Sequence, residues 1–148
     1  MEINFKPVEL KDIEILLELM SEFYLHEKLN FNKDTLKPSL DKLINDEKIG
    51  EIRRITSGED TVGYFILTFI YSLEYGGKNA LLDEFYIRKN FRGKGIGKLT
   101  LSFIDEFCKE KNIQAIHLQV KKFNPMARKL YASVGFIEVD RTFMTKIF

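Results

Sequence analysis

The chain has 148 residues, 45% of them hydrophobic, with 23 basic and 22 acidic side chains for a formal net charge of +1. That length suits one domain with a substantial core, and the near-neutral balance excludes the broad positive field of a nucleic-acid or membrane-surface binder. The single cysteine, Cys108, excludes an internal disulfide, the first residues lack a signal-peptide apolar run, and no apolar stretch approaches the ~20 residues of a membrane span. A cytoplasmic protein with no nucleic-acid or membrane partner is expected.

Ile3 and Phe5 alternate with polar neighbours as a short strand, and Pro7 closes it ahead of a helix expected from near Val8. In that helix Ile13, Leu16, Leu17, Met20, Phe23 and Tyr24 recur at three- and four-residue spacing, with Glu14, Glu18 and Glu22 on the solvent face. Its tail, Phe23-Tyr24-Leu25-His26-Glu27, collects aromatic, imidazole and carboxylate groups. It reads as a solvated helix end, with a segment that touches substrate as the competing reading. A second helix is expected over 34–46, with Leu36, Leu40, Leu43 and Ile44 inward and Pro38 within its first turn or so, where proline is tolerated. From Gly50 the period becomes extended. Ile52 and Ile55 lead to a turn at Ser57-Gly58-Glu59-Asp60 and a second arm over 62–71, apolar on both faces and therefore central in a sheet.

After a loop with Gly76-Gly77, a strand over 80–87 carries consecutive carboxylates, Asp83 and Glu84. Neighbouring strand residues point to opposite faces, so the two should not act on one proton. Either one of them should face a cleft, because charges are seldom placed in a central strand for packing alone. The strand delivers the chain to Arg92-Gly93-Lys94-Gly95-Ile96-Gly97-Lys98, and a helix over 99–111 follows, patterned by Ile96, Leu99, Phe103 and Phe107. Glycines let backbone amides approach a ligand, and the helix N-terminus with Arg92, Lys94 and Lys98 favours an anion of pyrophosphate type. A Walker loop does not fit, since Arg92 stands where its first glycine belongs and Leu99 follows Lys98; nor does Gly-x-Gly-x-x-Gly. Cys108 sits on the apolar side of this helix as a small hydrophobe. A strand over 114–120 makes a right-handed strand-helix-strand unit with parallel strands, and His117 within it reads as structural. Asn124-Pro125 starts a shorter helix to Val134, Gly135 and Phe136 have the composition of a Schellman cap, and a last strand is expected over 137–147.

Arg-x-x-Gly-x-Gly, from Arg92 to Gly97, and the pattern N-x-x-A-x-x-L-Y-x-x-x-G-F, from Asn124 to Phe136, resemble the two signatures of the GNAT superfamily of acetyl-CoA-dependent N-acetyltransferases. Their order and spacing also match, and the strand-helix-helix start, the hairpin and the Asp83-Glu84-Phe85-Tyr86-Ile87 entry extend the resemblance over nearly all of a single domain, 1–148. The resemblance implies an α/β fold with a mixed central sheet, antiparallel N-terminal strands, parallel central strands and helices on both faces. It implies acetyl-CoA as co-substrate. Phe85, Tyr86 and Ile87 would pair with the pantetheine arm, Arg92, Gly93, Lys94, Gly95, Ile96, Gly97 and Lys98 would hold the pyrophosphate, and Asn124, Ala127 and Tyr131 would contact the coenzyme from the last helix.

In the reaction so implied, an amine attacks the thioester directly, the Tyr131 hydroxyl assists the departing sulfur, and Glu84 takes a proton, through a water. Tyr24, His26, Glu27, Asp83 and Glu84 are the substrate-side candidates, and no metal is implied. The string Leu82-Asp83-Glu84-Phe85-Tyr86-Ile87 before Arg92-Gly93 resembles the diamine and thialysine acetyltransferase branch, whose cationic substrates suit acidic residues. Which amine is used, small molecule or peptide, and whether the chain forms a homodimer stay open at this level. The alternative is a catalytically silent acyl-CoA-binding or sensing module that keeps the cradle.

Overall fold

The computed structural model describes residues 1–148. Five strands, β1 (Ile3–Pro7), β2 (Gly50–Ser57), β3 (Asp60–Ser72), β4 (Gly77–Ile87) and β5 (Ile116–Leu118), lie side by side in sequence order. Neighbours from β1 to β4 are antiparallel, and β4 with β5 is parallel. Four helices complete the chain: α1 (Ile13–Glu27), α2 (Lys33–Asn45), α3 (Ile96–Glu110) and α4 (Pro125–Ser133). The mixed α/β sheet expected from the sequence is therefore present.

β3 is apolar on both faces because it has helices on both. Tyr64 and Ile66 pack with Leu16, Leu19, Met20 and Leu40 of α1 and α2, while Val62, Phe65 and Leu67 pack with Leu101, Ile104 and Phe107 of α3. On α3 the buried stripe is Ile96, Thr100, Leu101, Ile104, Phe107 and Cys108. Leu99, expected on that stripe, is half exposed. α1 begins later than expected, after one 3-10 turn (Leu10–Asp12) in which the Glu9 amide donates to Asp12 Oδ2 at 2.9 Å. Pro38 lies in the second turn of α2, which is started by Asn32 accepting from the Asp34 amide at 3.0 Å.

β4 positions the cleft. It pairs with β5 only from Ala80 to Leu82, then runs on to Ile87 with no strand on that side. The break coincides with a bulge: Leu82 opposes Leu67 and Glu84 opposes Ile66, which leaves Asp83 as the extra residue. A bulge re-aims the side chains beyond it. Ala80 and Leu82 pack on the α3 side, but Tyr86 packs on the α1 side and Phe85 and Ile87 return toward α3. Strict alternation through Asp83-Glu84, assumed from the sequence, is thus broken at that dipeptide.

The last strand, expected over 137–147, does not form. Its alternating apolar residues have strand character, but no strand of the chain pairs with them, and an unpaired strand is not stable in water. The α4 terminus does follow its sequence pattern. Gly135 has φ +101°, its amide donates to Ala132 O at 3.2 Å, and the Phe136 amide donates to Tyr131 O at 3.1 Å, the two bonds of a Schellman motif.

Candidate functional site

After β4, a 3-10 turn (Lys89–Phe91) leads to Gly93 and Gly95, whose φ values of +73° and +81° lie in the left-handed region. A Cβ at either would meet nothing in the chain within 4 Å, so it is the dihedral that asks for glycine, and the space above the turn is open. Gly95 is the N-cap of α3 and offers no side chain to its amides. The first amide of this helix to find an acceptor is that of Leu99, bonded to Gly95 O at 3.2 Å. The N–H groups of Ile96, Gly97 and Lys98 are left to whatever occupies that space, with the helix dipole behind them. Gly97 has a further reason to be glycine: a Cβ there would lie 3.1 Å from Leu130 Cδ2, so its absence lets α4 approach α3.

The basic side chains stand around these amides. Arg92 Nε donates to Ile87 O at 2.8 Å, with its guanidinium 5.4 Å from the centre of the Tyr86 ring, and Lys94 Nζ lies 5.4 Å from the Phe91 ring. Lys98 is exposed. Free amides, an open cradle and three cations fit a pyrophosphate. The β4 edge from Asp83 to Ile87, unpaired on the β5 side, leads into the same turn.

On the α1 side of β4, Glu84 is held between two phenols. Tyr64 Oη donates to Oε1 at 2.7 Å and Tyr24 Oη to Oε2 at 2.8 Å. Burial pushes the Glu84 carboxyl above its ordinary pKa, the two phenol donors pull it partly back, and the nearby Asp83 charge raises it further. Burial and the Glu84 charge raise the phenols in turn, so both stay protonated as donors. The end of β4 is tied to α1 as well: Arg88 Nη2 pairs with Glu18 at 2.6 Å and Glu22 at 3.1 Å, and Tyr86 Oη donates to Glu22 at 3.3 Å. Glu18 and Glu22, expected to face only solvent, therefore anchor the strand that enters the glycine turn.

α4 supplies the other wall. Asn124 Oδ1 accepts from the Ala127 amide at 3.1 Å, which uses that amide for the cap and leaves the Asn124 NH2 free for a ligand. Tyr131 is half-buried, edge-on to Phe136 at 5.7 Å, and its hydroxyl has no hydrogen-bond partner in the chain. Burial first, and then the Glu27 charge, raise its phenol. Glu27 lies one turn beyond Tyr24 and pairs with Lys121 Nζ at 2.9 Å, so the last turn of α1 bridges the Glu84 side and the Tyr131 side. His26, in the same last turn of α1, is exposed.

Sequence reasoning missed Tyr64, which it absorbed into an apolar strand. The available signal was a phenol in a fully buried position of a central strand, which needs a polar partner. His117 is structural, with Nε2 3.0 Å from Asn79 Oδ1 and its ring tilted at 60° against Tyr75, centre to centre 4.7 Å. Burial pushes the Cys108 thiol up to about 11, which leaves it inert near neutrality. No helix is long and apolar enough to cross a membrane.

The model of the acetyltransferase (GNAT) family matches residues 14–136, both walls of the cleft and the glycine turn included. The chain belongs to the GNAT family. Among relatives of this GNAT chain, the thialysine N-epsilon-acetyltransferase of Sus scrofa is 33% identical over 78 residues, 53% of the chain and 45% of that enzyme, so the chain spans less than half the relative's length. An integron cassette protein from the mobile metagenome of Cole Harbour salt marsh superposes with a TM-score of 0.86 at 29% identity, over 97% of this chain and 89% of that one. A predicted acetyltransferase from Clostridium acetobutylicum, solved with acetyl-CoA, has the same fold, with a TM-score of 0.81 at 20% identity over 98% of this chain and 96% of that one.

Proposed function

We propose that residues 1–148 form one catalytic domain that transfers an acetyl group from acetyl-CoA to a primary amine by direct attack in a ternary complex. The observation that carries the reading is the Glu84 carboxylate, fixed by Tyr24 and Tyr64 beside a glycine turn with unpaired amides. Acetyl-CoA supplies an activated acyl carbon and a thiolate leaving group. The turn from Arg92 to Lys98 holds its pyrophosphate, the free β4 edge at Phe85, Tyr86 and Ile87 pairs with its pantetheine arm as an added strand, and Asn124 contributes its NH2.

An alkyl ammonium of pKa about 10.4 is less than roughly a thousandth neutral at pH 7, so the site must accept a proton. Glu84 does this, directly or through a water, with two hydroxyls donating to its carboxyl group. The Tyr131 hydroxyl, with no partner of its own in the chain, hydrogen-bonds the departing sulfur. Tyr24, Glu27, Asp83 and Glu84 line the amine side, and the acidic residues among them favour a cationic amine such as a diamine or a thialysine-like amino acid. Cytoplasmic action and a homodimer complete the reading.

The test is thiol release from acetyl-CoA over a panel of polyamines, lysine analogues, aminoglycosides and peptides. Turnover with a cationic primary amine is expected. Tight binding of acetyl-CoA with no turnover on any amine would replace this reading with a silent acyl-CoA-binding module.

A further inference from the structure

α1 ends at Glu27, and a cation from the other wall of the cleft meets that end. Lys121 Nζ lies 2.9 Å from Glu27 Oε2 and 2.9 Å from the Glu27 carbonyl oxygen. Both oxygens have reason to hold positive charge. The carbonyl belongs to the last residue of a 15-residue helix, where no further turn supplies an amide and the helix dipole is negative. The chain closes the helix without using it. Lys28 takes the left-handed conformation at φ +58°, its amide donates to Leu25 O at 3.2 Å, and the Leu29 amide donates to Tyr24 O at 2.8 Å. The Glu27 carboxylate sits on a side chain only 25% exposed, has lost much of its water and needs a counter-charge.

The two partners are unequally held. The Lys121 side chain is 61% exposed and pairs with no other acid. It stands three residues past β5, in a turn closed by the Asn124 amide donating to Lys121 O at 3.0 Å. Releasing its ammonium to water costs little, as for exposed ion pairs in general. Arg88 is the contrast: its side chain is 27% exposed, pairs with both Glu18 and Glu22, and donates to Thr61 O at 3.3 Å, which commits those two acids to the fold. Glu27 is the acid beside the cleft whose cation can be exchanged, and the cation it already holds is an alkyl ammonium, a compact charge on a flexible stem.

We propose that Lys121 is the resident occupant of an ammonium subsite formed by the Glu27 carboxylate and carbonyl, and that it sets amine specificity: a substrate with a second cationic group displaces it, and one without leaves it in place. This rests on the amine-acetylating reading above. Glu27 follows Tyr24 by three residues on the same face of α1, and Tyr24 Oη holds Glu84 at 2.8 Å. Anchor points one helical turn apart suit a short alkyl diamine or a basic amino acid, with one nitrogen at Glu84 and the other at Glu27. While Lys121 stays, Glu27 is neutralised and a distal charge gains little there. Its displacement opens the bridge between α1 and the turn before α4, so recognition of the second charge and entry to the cleft are one event.

The test is steady-state kinetics on matched amines, an alkyl diamine and the monoamine of the same chain length, at saturating acetyl-CoA. Lys121→Met keeps the apolar stem and removes the charge, so the diamine KM should fall about two- to fivefold relative to the monoamine KM, the size expected for one exposed ion pair. Lys121→Arg keeps a cation and should restore the wild-type ratio. In a Glu27→Gln background the diamine KM should rise, and Lys121→Met should then leave the ratio where it is. An unchanged ratio in Lys121→Met, the same shift in the Glu27→Gln background, or both KM values moving together as for a simple strut would each overturn the proposal with acetyl transfer intact. A wild-type chain that turns over no amine would overturn it together with the reading it rests on.

Discussion

In the proposed reaction Tyr131 and Glu84 take different parts, because their surroundings differ. Tyr131 has a hydroxyl with no partner in the chain, whereas both oxygens of Glu84 are engaged by phenols. Tyr131→Phe keeps the ring on Phe136 and removes only the hydroxyl, so kcat should fall by roughly 10²-fold or more while coenzyme affinity by calorimetry changes little. Wild-type turnover, with chemistry rate-limiting, would leave Tyr131 as a packing residue. For Glu84 the sign follows from its partners. The Tyr64 hydroxyl stabilises the carboxylate, so Tyr64→Phe raises the Glu84 pKa, and the acid limb of kcat/KM should move to higher pH. An unmoved limb would separate Glu84 from the proton transfer. The same carboxyl affects folding. Its native pKa is raised by burial, so as pH climbs from the unfolded value through the native one, the unfolded chain loses its proton first and stability falls. Denaturant melts over that interval should show the wild type losing stability relative to Glu84→Gln.

Among the elements, the join between β4 and α3 is the proposed seat of coenzyme binding. Gly95 holds φ +81° with empty space where a side chain would go. Gly95→Val would strain the turn and fill the anion space, so coenzyme affinity should fall by orders of magnitude while far-UV circular dichroism is largely kept. Calorimetry showing unchanged affinity would put the pyrophosphate elsewhere. The bulge at Asp83 acts at this scale too, because it turns Glu84 toward α1 while leaving Leu82 with α3. One extra residue thus separates the half of the strand that puts Leu82 on the α3 side from the half that carries Glu84 and Tyr86 to the α1 side.

At the scale of the whole molecule, two apolar layers on one sheet hold α1 and α3 at fixed places on either side of β4. Leu67 is fully buried in the layer under α3. Leu67→Ala should cost about 2–5 kcal/mol in denaturant melts, with coenzyme affinity lost only as the fold is lost. A loss below 1 kcal/mol would mean that this layer relaxes around the cavity.

Periodicity and glycine chemistry are local, so the sequence alone determined the strand-helix order, the doubly buried β3, the Gly93 and Gly95 turn, and the Asn124 and Gly135 caps of α4. Each depends on residues within a few positions of one another. The Tyr24–Glu84–Tyr64 triplet joins residues 60 and 20 positions apart, and it depends on a bulge that no local pattern announces; tertiary structure alone decided it. The same holds for Glu18 and Glu22, whose helical face looked solvent-bound until Arg88 met it. The carboxyl-terminal segment is the reverse case. Its strand pattern was legible over 137–147, but a strand needs an edge to bond to, and whether one is within reach depends on where Arg141 and Phe136 fix the chain.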